Sequence, residues 1–115
     1  MNLLSENQDQ KELVLNDRSL IPNMVHESIR VANPVTYMRR TTKVDTQIGD
    51  QKIGPNEKIS LWYGAANRDP EIFENPDKYD IRRENAKKHL SFGYGRHLCF
   101  CLLYTSPSPR DLRKS

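Results

Sequence analysis

Apolar and polar positions change their period along the chain, and the change divides it into a helical start, an extended middle and a long polar coil. Leu13, Val14 and Leu15 form the apolar centre of a helix over Gln8 to Asn16, with Asn16-Asp17 as its stop. Ser19 suits the N-cap of a second helix and Pro22 falls within its first turn, where a missing N–H costs nothing. Ile21, Val25 and Ile29 then recur at four-residue steps, which predicts one helical face running to about Ala32. Asn33-Pro34 ends it, because proline disfavours helical backbone in the residue before it.

From Thr36 to Val44 the chain is rich in Thr, Tyr and Val, residues that fit extended backbone. Gly49-Asp50 marks a turn between Thr46-Gln47-Ile48 and Gln51-Lys52-Ile53. Gly54-Pro55-Asn56-Glu57 marks another, leading into a strand at Lys58 to Tyr63. These segments predict a small, mostly antiparallel sheet, followed by a short helix at Pro70 to Phe73. Asn75-Pro76-Asp77 and the polar stretch to Lys88 read as ordered coil. Trp62 and Tyr63 read as one surface and one core aromatic. The fold class is therefore mainly α with a small β-sheet.

Composition changes this picture in one respect. Only 36% of the 115 residues are hydrophobic, 29% are charged, and the mean hydropathy is −0.81. A chain this short buries a modest share of its surface, so the low apolar content points to a piece of a larger fold. The net charge of +3 and a pI near 8.9 are compatible with an acidic redox partner. They fall far from the concentrated basic stripe of a nucleic-acid binder. No apolar run reaches bilayer length and no secretory leader follows Met1. A cytoplasmic protein without membrane contact is expected.

Chemistry concentrates in Phe92-Gly93-Tyr94-Gly95-Arg96-His97-Leu98-Cys99. Alternate glycines allow a tight backbone excursion that other residues resist. Cys99 then sits at the end of a shaped loop beside basic residues, a setting that suits a metal-ligating thiolate. The other reading is a buried structural cysteine after a Gly-rich turn. Cys99 and Cys101 are too close for a disulfide framework. A zinc site would need two more ligands, and His26, His89 and His97 are scattered in the sequence.

This loop resembles the haem-cysteine loop of the cytochromes P-450, with Phe92, Gly93, Gly95, His97 and Cys99 in register. Three further segments resemble the family in the same order. Glu27-Ser28-Ile29-Arg30 places Glu and Arg on one side of a helix; alone it reads as a solvated surface pair, whereas the resemblance implies a buried ion network. Ala66-Asn67-Arg68-Asp69-Pro70 looks like the segment after the family's third strand, and Phe73 to Arg83 like its meander. Where the family often has Pro-x-Arg-Phe, this chain reads Pro76-Asp77-Lys78-Tyr79, so either Lys78 or Arg83 is left to complete the network with Glu27 and Arg30.

The resemblance implies haem b (iron protoporphyrin) held through Cys99, with Arg40 and His97 binding its propionates. Both fit physically, since a buried carboxylate needs charge-assisted donors. Pro34 to Met38 corresponds to a substrate-lining segment, with Val35, Tyr37 and Met38 as the pocket candidates. No residue here is assigned a catalytic role of its own. The implied parent is a haem-thiolate monooxygenase using dioxygen, a small organic substrate and electrons from a ferredoxin or flavoprotein.

The resemblance covers about residues 3 to 100. Met1-Asn2-Leu3-Leu4 resembles the stretch just after the long helix that crosses the haem's distal face, so that helix is expected to be missing. Beyond Phe100 the family has a glycine and an apolar helix, but Cys101 to Ser115 carries Pro107 and Pro109 and no helical period. This tail resembles translated sequencing adapter, and residues 101–115 are expected to be non-native, with residues 1–100 as a partial haem domain. The second reading of the chain as it stands is a catalytically inactive fragment that binds haem weakly or not at all.

Overall fold

The computed structural model describes residues 3–99, so Phe100 and the 101–115 tail lie outside the described residues. The chain runs through α1 (Leu3–Glu6), α2 (Gln8–Asn16), a 3-10 turn at Arg18–Leu20, and α3 (Ile21–Ala32). It continues through β1 (Met38–Thr41), β2 (Thr46–Ile48), β3 (Gln51–Ile53), β4 (Lys58–Leu61) and α4 (Tyr63–Asn67). Two 3-10 turns follow, Ala86–Lys88 and Gly95–His97. Helices, short antiparallel strands and a long ordered coil make the mixed α+β architecture expected, with α1 as an addition.

Ser19 does not cap α3. Asp17 does the capping one turn earlier: its Oδ1 accepts the Ser19 N–H at 3.0 Å and opens the 3-10 turn that feeds the helix. Pro22 does stand in the first turn of α3. At the other end Asn33 adopts left-handed backbone (φ 42°) and donates its N–H to Ile29 O at 2.9 Å. The Ile21–Val25–Ile29 stripe is not the packed face among the described residues. Ile21 and Val25 are 39% and 45% exposed, while Glu27 and Arg30 are fully buried. The partner on that side is a carbonyl-rich coil, which a charged pair satisfies and an aliphatic stripe does not.

The strands form two separate two-stranded sheets rather than one. β1 and β4 pair antiparallel with Arg40 opposite Ile59, and enclose the β2–β3 hairpin. Gly49, at φ 56°, makes the hairpin turn. Of the extended Thr36 to Val44 stretch only Met38–Thr41 pairs, because Thr42 turns inward. Its N–H bonds Glu57 O at 2.9 Å and its Oγ1 donates to Gly54 O at 2.6 Å.

β4 stops at Leu61, short of Tyr63, because Trp62 becomes the N-cap of α4. Trp62 is exposed and Tyr63 buried, as expected of that pair. The helix predicted at Pro70 to Phe73 is a single turn instead. Asp69 O accepts the N–H of Ile72 and of Phe73, and Asp69 Oδ1 that of Glu71 at 2.9 Å. Propagation fails because Asn75 goes left-handed (φ 47°) ahead of Pro76. The core is small, with Phe73, Ile81, Ala86, Tyr79 and Tyr63 buried alongside Glu27, Arg30, Asn67 and Arg83.

Asn33 generates a prediction. Its Oδ1 is buried without a hydrogen-bond partner, and a left-handed position favours glycine. Asn33→Gly keeps the backbone cap and removes both costs, so it should stabilise the chain by about 1 kcal/mol. Asn33→Val, β-branched at positive φ, should destabilise it. Urea unfolding of the three proteins checks the order; a wild type more stable than the glycine variant would contradict it.

Candidate functional site

Glu27 is the centre of the buried polar cluster. One turn of α3 separates it from Arg30, and that spacing sets the two side chains together: Arg30 Nε meets Glu27 Oε1 at 2.5 Å, with both side chains fully buried. Glu27 Oε2 accepts from Arg83 Nε at 2.9 Å, from the Asp80 N–H at 2.8 Å and from Arg30 Nη2 at 3.2 Å. One carboxylate thus faces two guanidiniums. The surplus positive charge is met by main-chain carbonyls. Arg30 donates to Asn67 O, Pro76 O and Lys78 O, and Arg83 to Glu74 O, Asn75 O and Lys78 O. Arg30 also lies over the Phe73 ring, 5.2 Å from its centroid.

Of the two basic residues left open by the sequence, Arg83 is the one whose side chain reaches Glu27. Lys78 is exposed and contributes only its carbonyl. Tyr79, next to it, is buried with its hydroxyl 2.7 Å from Ser28 Oγ. Burial raises the Tyr79 pKa, with the Ser28 hydrogen bond working the other way and nearby Glu27 adding to the rise.

Asn67 connects this cluster to the cysteine loop. It is fully buried: its carbonyl takes Arg30, its Oδ1 accepts the Leu90 N–H at 2.7 Å, and its Nδ2 donates to Ser91 Oγ at 2.8 Å. Ser91 Oγ in turn donates to Ile29 O at 3.1 Å. The segment entering the loop is therefore pinned to α3 and α4 by side chains rather than by sheet or helix pairing. Nothing in the sequence marks Asn67 beyond its place in the Ala66 to Pro70 segment. Ser91 and the meeting of His26 with His89 carried no sequence signal, because their partners lie far along the chain.

Within the loop, Gly93 and Gly95 take φ of 80° and 77°, the left-handed backbone that only glycine enters freely. Gly93 N–H bonds Leu90 O at 2.9 Å, and Cys99 N–H returns to Phe92 O at 2.9 Å, closing the loop at its base. Cys99 and Phe92 are half-buried and His97 is exposed. Arg40 sits on β1, half-buried, with its Nη1 on the neighbouring Arg39 O at 2.9 Å. Val35 and Tyr37, ahead of β1, and Met38, its first residue, are exposed, Tyr37 leaning on Trp62 with ring centroids 4.9 Å apart. One hollow is lined by α1 and the end of α3 and another by the coil around Arg83; neither of these is lined by Arg40, His97 or Cys99. The structure thus brings Glu27, Arg30 and Arg83 together, while among the described residues no hydrogen bond joins Arg40 or the pocket candidates to the loop.

The network separates the two basic residues energetically. Arg83→Ala leaves Glu27 and the surrounding carbonyls short of a donor, and should cost about 3–5 kcal/mol of stability. Lys78→Ala removes a side chain outside the network and should stay within about 0.5 kcal/mol of wild type. Chemical denaturation of both variants is the check; similar losses would contradict the assignment of Arg83.

Comparison with known proteins bears on the whole arrangement. A sequence model of the family Cytochrome P450 matches residues 2–100. Cytochrome P450-terp from a Pseudomonas species is 44% identical over 96 residues, covering 84% of this chain and 22% of that protein. Linalool 8-monooxygenase from Pseudomonas putida is 38% identical over 96 residues, covering 84% of this chain and 23% of that one. Among solved structures, cytochrome P450-153 from Novosphingobium aromaticivorans superposes with a TM-score of 0.80 at 51% identity, over 84% of this chain and 24% of its own. The chain thus spans less than a quarter of the length of these relatives. Sequence match, superposition and the order of network, meander and cysteine loop agree, and the chain belongs to the cytochrome P450 family.

Proposed function

We propose that the protein to which this stretch corresponds is a haem-thiolate monooxygenase, with Cys99 as the iron ligand. The observation that carries the reading is the loop itself. Gly93 and Gly95 are both left-handed, and the Cys99 N–H bond to Phe92 O closes the base beneath a half-buried thiol. The donor set fits a haem. Among the described residues no three His, Cys, Asp or Glu side chains gather to hold a bare ion. A single thiol suits a metal that arrives already held by a macrocycle. No heavy atom lies within 4 Å of where a Cβ would stand at Gly95, so the loop offers an open face to a flat group.

When bound, a thiolate-ligated haem favours cleavage of the oxygen–oxygen bond of dioxygen, the chemistry by which one oxygen atom enters a small organic substrate. The work of this chain is to hold and orient. Cys99 presents the sulfur. Arg40 and His97 supply cationic or N–H donors for the two propionates. Phe92, Gly93 and Gly95 shape the loop. Val35, Tyr37 and Met38 belong to the substrate side, and the Glu27–Arg30–Arg83 network holds the coil from which the loop departs. A ferredoxin or flavoprotein as electron donor and a cytoplasmic location go with this reading. Among the described residues no helix is long and apolar enough to cross a membrane.

A second reading applies to the chain by itself: a catalytically inactive fragment that binds haem weakly or not at all. It is favoured by the exposure of Leu15, Ile21, Val25 and Trp62, large apolar residues that the described residues cover only in part. One experiment separates the two. Haem is added to the purified chain, reduced, and exposed to carbon monoxide. A red-shifted band that disappears in Cys99→Ala and persists in Cys101→Ala is the expected outcome if this stretch assembles the thiolate site. Absence of the band in the wild type supports the fragment reading, and its survival in Cys99→Ala would overturn Cys99 as the ligand.

A further inference from the structure

We propose that His26 is a positioning residue for the Cys99 loop, acting through a neutral hydrogen bond to His89 and the contact of His89 with Phe92. The two imidazoles, distant in sequence, meet where α3 packs on the coil after Lys88: His26 Nδ1 lies 3.4 Å from His89 Nε2. The direction of the bond follows from its neighbour. The Ser91 N–H donates to His89 Nδ1 at 3.3 Å, so that nitrogen is the acceptor and Nε2 carries the hydrogen. His89 therefore donates and His26 Nδ1 accepts. His89 and Phe92 then meet edge to face, with ring centroids 5.6 Å apart and planes at 63°. Phe92 O receives the Cys99 N–H. A continuous path leads from α3 to the cysteine.

The bond requires both rings to be neutral. Burial lowers the His26 pKa, and Lys87 adds to the effect. Burial also takes His89 down to about 4, helped by His26 and Arg30 and opposed by Glu27. At neutral pH the bond is intact. A proton taken up at His26 Nδ1 on acidification leaves two N–H groups facing each other. With both folded pKa values below the usual 6.5, the stabilisation is full above that pH and is lost as pH falls through the folded values, about 4 for His89.

The functional meaning of this latch rests on Cys99 being the iron ligand, but its test does not. The amide of Cys99 reports loop closure directly, because it donates to Phe92 O. Its hydrogen exchange, corrected for the intrinsic pH dependence, is measured by NMR on the haem-free chain at pH 7 and pH 4.5. The proteins are wild type, His26→Leu and His26→Asn. Asparagine places an acceptor oxygen near the Nδ1 position and cannot take up the proton. At pH 7, Cys99 in His26→Leu should be about tenfold less protected than in wild type, and His26→Asn should match wild type. At pH 4.5 wild type should drop to the leucine level while His26→Asn holds.

The Phe73 amide, bonded to Asp69 O, reports whether the fold survives each change. If His26→Leu loses that protection too, the wild-type and asparagine proteins at pH 4.5 decide alone. Equal protection in leucine and wild type at pH 7, or a parallel acid loss in His26→Asn, would overturn the proposal. A missing carbon monoxide band would bear on the ligand and leave this result standing.

Discussion

Everything ordered after α4 depends on one buried carboxylate. An isolated Glu27 in this interior would carry a large desolvation cost, and a single arginine beside it would leave part of that cost uncovered. Here Arg30 and Arg83 both reach it, and the Asp80 amide supplies a further donor. The two guanidiniums overcompensate the charge, and the excess is spread over carbonyls of the coil. Stability and shape are thereby the same thing in this region. The coil has almost no regular pairing of its own, and the guanidinium forks dictate where its carbonyls must point.

That constraint reaches the cysteine through Asn67 and Ser91. Asn67 is bonded by Arg30 on one side and holds Leu90 and Ser91 on the other. The loop that presents Cys99 thus starts from a residue position set by the ion network, and the two left-handed glycines complete its path. In the proposed role of iron ligand, Cys99 would have to be held to within fractions of an ångström. A network of charge-assisted bonds meets that demand better than the few aliphatic contacts available here.

Local signals in the sequence read well where the structure is local. The Gly49-Asp50 hairpin, the end of α3 at Asn33-Pro34 and the Gly93/Gly95 loop each follow from a residue whose backbone preference is strong. Elsewhere tertiary bonding decides the outcome. Ser19 was outcompeted as a cap by Asp17, and Pro70 to Phe73 made one turn because Asn75-Pro76 stopped it. The Ile21–Val25–Ile29 stripe suggested an apolar packed face, whereas the coil facing α3 is polar and selects Glu27 and Arg30. The family was legible through the motif order, but the choice between Lys78 and Arg83 was not. It turns on which side chain folds inward, and a coil has no period from which to read that.

The length of the chain between network partners has a consequence for the order of folding. Arg30 finds Pro76 O across 46 residues, and Glu27 finds Arg83 across 56. Until the chain closes loops of that size, Glu27 and Arg30 are an ordinary solvated pair on a short helix, with no reason to leave water. On a ribosome, α3 has to wait for both sheets and most of the coil to emerge before its charged face acquires an interior. The coil carries some bonds of its own, from Arg83 and from the Lys78 N–H, but Pro76 O takes its donor from Arg30, so its final shape also waits for α3. Helix and coil therefore desolvate together, late and in one step, and the cysteine loop is among the last parts of the chain to take its shape.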